Sequence, residues 1–261
     1  MVTAGIDLAS QDDNTAVCVA EWSETGNSGT ISRWSPGWSD DDLIELMRDP
    51  DIDRIGIDAP FGWPFEYVSA ISAYRDHGIW PVADPDCLRF RATERQLDAG
   101  LSPSLDPLVW VTLRCARLLD RCAREDSTGI DRTGEGRFVE VYPAAALGRW
   151  GQDPKRSPED PGSYKGEKPA SVVRRKKLIE ALTVELDPIM VLPPDFVEDC
   201  GVDGGDHLVD ALVAALVARA MAVGNCDLIP PDARRRAESE GWIRLPKGPH
   251  LRDDVTAQRA E

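Results

Sequence analysis

Val2-Thr3-Ala4-Gly5-Ile6-Asp7-Leu8 and Arg54-Ile55-Gly56-Ile57-Asp58-Ala59 carry the same tripeptide, Gly-Ile-Asp, at the close of a short apolar run. Each run reads as a buried strand, and each places one aspartate at its carboxyl end. Asp210 is a third acid in an apolar setting: Leu208, Val209, Ala211, Leu212, Val213, Ala214, Ala215, Leu216 and Val217 surround it in a helix that is apolar almost all round. A buried carboxylate is costly unless something pairs with it. Three such residues, far apart in sequence, point to one shared partner, and a divalent cation is the simplest.

Working outward from these runs, Thr15–Glu21 reads as a second strand and Thr30–Trp34 as a third, with turn-rich stretches between them that suit hairpins. Ser39 fits a helix N-cap, with acids in the first turn and Leu43, Ile44, Leu46 and Met47 behind. Arg54–Ala59 is the fourth strand, ended by Pro60 and Pro64. Helices are expected over 66–76, 105–124, 144–150, 170–186 and 206–223, a fifth strand over 137–142, and a late strand over 242–245. Residues 78–90 and 152–169 read as irregular. Without a clear linker, one domain over 1–261 is expected, with insertions around 78–135 and 152–170.

Composition narrows the function. The apolar fraction of 42% with eight Trp and five Phe indicates a packed core. No apolar run reaches the length of a membrane span and no basic segment precedes the first strand, so a cytoplasmic protein without a membrane partner is expected. Six Cys contain no Cys-x-x-Cys pair, which fits reduced, buried thiols. The net charge of −16 weighs against long-range steering of a polyanion. The basic patches, such as Arg174-Arg175-Lys176-Lys177, read as solvated helix faces.

If the first and fourth strands are adjacent and parallel, Asp7 and Asp58 stand side by side at the edge where open α/β sheets bind ligands. A last helix packed across that edge adds Asp210. Asp206 and His207 lie four and three residues earlier and can share its face. Carboxylates suit Mg²⁺ or Mn²⁺, which prefer oxygen ligands. Two readings stand for several neighbours. Asp206 is a ligand or an N-cap. His207 is a ligand, a proton shuttle or a first-turn surface residue. Glu140, in Phe138-Val139-Glu140-Val141, is a fourth metal carboxylate or the partner of an arginine. In Arg89-Phe90-Arg91-Ala92-Thr93-Glu94-Arg95, the residues Arg91, Thr93 and Arg95 either contact a phosphate-bearing substrate or form a salt-bridged helix start.

Gly5-Ile6-Asp7, Ile57-Asp58-Ala59-Pro60 with Gly62 and Pro64, Phe90-Arg91 with Thr93-Glu94, Glu140-Val141-Tyr142-Pro143, and Asp206 to Ala211 resemble, in order and spacing, the predicted ribonuclease H-like nuclease family called domain of unknown function 429. The resemblance covers roughly residues 3–245. His207-x-x-Asp210 is also similar to the last-helix motif of RuvC-type resolvases. The resemblance implies an α/β fold of the ribonuclease H-like type: a mixed five-stranded sheet flanked by helices, with helical and loop insertions. It implies a Mg²⁺- or Mn²⁺-dependent nuclease or phosphodiesterase acting on nucleic acid or nucleotides. Metal ligation then falls to Asp7, Asp58 and Asp210, with Asp206 and Glu140 as further ligands and His207 assisting. Two alternatives compete: a binding or scaffolding module that kept the fold without the chemistry, and an actin-like or sugar-kinase-like phosphotransferase. The second needs two such domains and Gly-rich phosphate loops.

Overall fold

The two Gly-Ile-Asp strands are buried on both faces, which is why their sequences run apolar instead of alternating. In β1 (Val2–Asp7) Thr3, Ala4 and Ile6 are buried, and in β4 (Arg54–Asp58) Ile55 and Ile57 are. The computed structural model describes residues 1–80, 84–97, 102–126, 130–153, 155 and 162–256. β1 pairs antiparallel with β2 (Ala16–Trp22), which pairs antiparallel with β3 (Gly29–Pro36). β1 pairs parallel with β4 in a register that opposes Gly5 to Gly56 and Asp7 to Asp58. Two short strands, β5 (Phe138–Glu140) and β6 (Met190–Val191), complete an open mixed sheet in the order β5-β4-β1-β2-β3-β6. The sheet therefore has six strands where five were expected. The sixth has two residues, one buried and one exposed, too short to leave a periodic signal.

The helices, in chain order, are α1 (Asp40–Arg48), α2 (Phe65–His77), α3 (Pro85–Arg89), α4 (Ala92–Leu97), α5 (Leu108–Asp126), α6 (Pro143–Arg149), α7 (Pro169–Leu186), α8 (Pro194–Cys200), α9 (Gly205–Ala222), α10 (Arg234–Glu240) and α11 (Leu251–Thr256). Ser39 caps α1 as expected: its hydroxyl accepts from Asp42 N, and the Asp42 carboxylate accepts from Ser39 N, a reciprocal capping box. The late strand expected over 242–245 does not form. Trp242, Ile243 and Leu245 are buried, but among the described residues the ladder contact nearby is a single bridge between Cys226 and Pro246. The six Cys stand outside any disulfide, and five of them are buried. Among the described residues no helix is long and apolar enough to cross a membrane.

The chain divides into two compact units, Met1–Asp58 with Val141–Asp227 and Arg244–Glu261, and Ala59–Glu140 with Leu228–Ile243. The insertion expected around 78–135 falls within the second unit, and the one around 152–170 within the first. Part of each lies outside the described residues.

In the first unit α9 lies on β1, β4 and β2. Its side chains are buried nearly all round, which accounts for a helix without an amphipathic stripe. The close approach depends on glycine. A Cβ on Gly5 would stand 1.9 Å from the Ala211 carbonyl oxygen, and one on Gly56 2.2 Å from that of Ala214. Gly5 and Asp7 share one face of β1 by the two-residue period of a strand, as Gly56 and Asp58 do on β4. The face that admits the helix backbone is thus the face that carries both acids.

The second unit is held by charge buried in its core. Arg91 has no exposed surface; it donates to Glu94, to both carboxylate oxygens of Glu140 and to the Glu240 carbonyl. Glu240 in turn accepts from Phe65 N and Ala92 N, each at 2.8 Å, and so anchors the first turns of α2 and α4.

Candidate metal centre

Asp7, Asp58 and Asp210 come together in the first unit, with one carboxylate oxygen from each lying within 4.8 Å of the others. Three local decisions bring this about. The parallel register sets Asp7 against Asp58, the paired glycines let α9 settle on the sheet, and Asp210 precedes the Ala211 whose carbonyl touches Gly5. Asp210 is only 1% exposed and Asp7 8%.

Charge in so small a volume shifts the protonation of its members. Burial pushes the Asp58 carboxyl well up; Lys165 pulls it back, while Asp7 and Asp210 push it further, partly through a hydrogen bond to Asp7. Burial also raises Asp210, against the attraction of Lys165. His207 is raised chiefly by its hydrogen bond to Asp7, with Nδ1 lying 2.6 Å from Asp7 Oδ2. Burial alone would lower Lys165, but Asp210, Asp58 and Asp7 together raise it.

A loop within 162–168 covers the third acid. The Tyr164 hydroxyl donates to Asp210 Oδ1, and Lys165 Nζ lies 2.5 Å from Asp210 Oδ2. Arg175 of α7, with no exposed surface, holds this loop. Its Nη1 donates to the carbonyls of Tyr164 (3.1 Å) and Gly166 (3.2 Å), its Nη2 to Val202 O (2.6 Å) and its Nε to Cys200 O (2.7 Å). Asp206 grips the same loop, its Oδ2 accepting from Gly166 N at 3.0 Å and its Oδ1 facing Arg175 at 3.5 Å.

The expected residues are therefore placed differently from one another. Asp7, Asp58 and Asp210 converge, and His207 joins them through Asp7. Asp206 is neither with the three carboxylates nor the N-cap: Gly204 caps α9, and Asp206 in its first turn fastens the loop. Glu140 belongs to the second unit and takes the arginine-partner alternative, with Arg91 Nη2 2.5 Å from its Oε1 and Phe61 N donating to its Oε2. Burial raises Glu140 and Arg91 opposes the rise. Arg91 takes the salt-bridged alternative. Arg91 is buried and saturated by carboxylates and a carbonyl, so it offers no free donor to a substrate. Thr93 is buried and accepts from Ile243 N. Arg95 is exposed and donates to the Phe90 carbonyl.

Sequence reasoning missed Tyr164, Lys165 and Arg175. The first two lie in a stretch that reads as a surface loop. Arg175 sits in a basic run in which Lys176 and Lys177 are exposed, so composition hid its burial. The donor set suits a hard cation: the oxygens are all from carboxylates, they lie within reach of one ion, and two of the acids resist ionisation without a counter-charge.

Comparison with known proteins places most of the sequence in one family. The chain belongs to the family described as Protein of unknown function (DUF429), whose model matches residues 5–235. No curated protein and no solved structure matches it.

Proposed function

From membership of a family whose description names no activity, we propose that this chain is a divalent-metal-dependent nuclease or phosphodiesterase of the ribonuclease H-like type. The observation that carries the reading is the in-register pair Asp7–Asp58 at the carboxyl end of two parallel strands, completed by Asp210 from the helix above. The sheet supports it: an antiparallel β1-β2-β3 meander with β4 added parallel on the other side of β1.

Asp7, Asp58 and Asp210 would hold Mg²⁺ or Mn²⁺. Such ions, when bound, supply charge that makes water a nucleophile near neutral pH and stabilises the leaving oxygen. The chain's own groups do the rest. Tyr164 fixes the orientation of Asp210. His207 pairs through Nδ1 with Asp7, which favours its protonated form, and would serve as proton donor to the departing oxygen. Arg175 and Asp206 keep the covering loop in place. The net charge of −16 disfavours capture of a long duplex, so a nucleotide or a short strand is the better substrate.

Cleavage of labelled single-stranded, duplex and branched DNA and RNA with Mg²⁺ or Mn²⁺ tests the proposal. Asp7→Asn and Asp58→Asn should each abolish turnover while the fold persists by circular dichroism. Full activity in either variant rules the assignment out.

A further inference from the structure

Both carboxylate oxygens of Asp210 are taken by two consecutive residues of one loop, and the two contacts differ in kind. Tyr164 is buried and its hydroxyl is neutral, so it can keep orienting Asp210 while Oδ2 changes partner. The Lys165 side chain is 45% exposed, and its Nζ lies 2.5 Å from Asp210 Oδ2. Any other cation that uses that oxygen must compete with it.

The backbone on either side of Lys165 is fixed. Arg175 binds the carbonyls of Tyr164 and Gly166, and Asp206 binds Gly166 N. Only the four-carbon stem is free to move. A charge tethered this way keeps a high local concentration beside the carboxylate it pairs with. Once moved off, it stays at the rim of the cluster, where a lysine ammonium is a suitable point charge for a phosphate.

We propose that Lys165 is a tethered counter-ion of the carboxylate cluster: a divalent cation displaces its ammonium from Asp210, and the freed ammonium then contacts the substrate's anionic group. The idea rests on the metal reading above and adds a residue to it. It makes metal and anion binding mutually reinforcing, since each favours the state in which Lys165 has left Asp210.

Calorimetric titration of Mn²⁺ into the intact protein tests this, using wild type, Lys165→Met, Lys165→Arg and Asp58→Asn, each with and without inorganic phosphate. Lys165→Met should bind Mn²⁺ about tenfold more tightly than wild type, because the competitor is gone. Lys165→Arg should stay near wild type, which separates loss of charge from disturbance of the loop. Phosphate should tighten Mn²⁺ binding in wild type and not in Lys165→Met. Equal or weaker Mn²⁺ binding by Lys165→Met overturns the counter-ion role and leaves the metal reading intact. Equal strengthening by phosphate in both proteins overturns the anion contact. Absence of Mn²⁺ binding in wild type and Lys165→Met alike overturns the metal reading and this proposal with it.

Discussion

Gly5 and Gly56 are direct partners across β1 and β4, and the backbone of α9 rests on both. Each stands two residues before an aspartate on the same strand face, so one pair of glycines admits the helix and the next pair of positions forms the cluster. A methyl group at Gly5 has no room, because the obstacles are the backbone atoms Ala211 O at 1.9 Å and Ala215 N at 2.3 Å. Gly5→Ala should therefore cost about 3 kcal/mol or more in urea unfolding. A loss under about 0.5 kcal/mol, the range of an ordinary surface substitution, would show that α9 does not bear on the strand.

Asp58 gives a pH-dependent signature. Its folded pKa is raised well above the ordinary 3.8, chiefly by burial. Between the unfolded and folded values the native state binds more protons than the unfolded one, so stability falls as pH rises through that window. Each unit of elevation is worth about 1.4 kcal/mol. In chelator, Asp58→Asn should be more stable than wild type at pH 8, and the gain should vanish at pH 3, where both states of wild type carry the proton. A pH-independent difference would contradict this.

Arg175 should prove structural despite its place in a basic run. Arg175→Met strands four backbone carbonyls and Asp206, and should cost roughly 3 kcal/mol or more. Amide exchange at Lys165 and Gly166 should accelerate in the same variant. Unchanged protection there would mean that the loop is held by other contacts.

Glu140 and Arg91 separate structural charge from site charge. Arg91→Met leaves Glu94 and Glu140 buried without their counter-charge and should destabilise by roughly 3–5 kcal/mol. Glu140→Gln should lower stability too, while Mn²⁺ affinity stays within about twofold of wild type. A larger fall in affinity would restore Glu140 to the ligand set.

Much of this was legible in the sequence because strands β1 and β4 announce themselves. Their apolar runs are short, bounded and closed by acids, and α9 is too apolar to lie anywhere but in the core. Ser39 with acids after it marked the start of α1. What escaped has physical reasons. β6 is too short for any pattern. Trp242, Ile243 and Leu245 are apolar and buried around Arg244, and nothing in so short a stretch distinguishes a ladder from a packed loop. Glu140 and Asp210 look alike in sequence, each an acid among aliphatic residues. Only the fold shows that one faces Arg91 and the other faces two aspartates. Lys165 and Arg175 act through single contacts to distant residues, and no spacing rule encodes those.

The most direct test of the central claim is Mn²⁺ binding to wild type and Asp58→Asn by titration calorimetry at pH 7.5, roughly one unit above the ordinary histidine range. The account predicts saturable binding in wild type that Asp58→Asn removes while remaining folded. Binding of equal strength in both proteins, or none in either, would contradict a metal centre built on Asp7, Asp58 and Asp210.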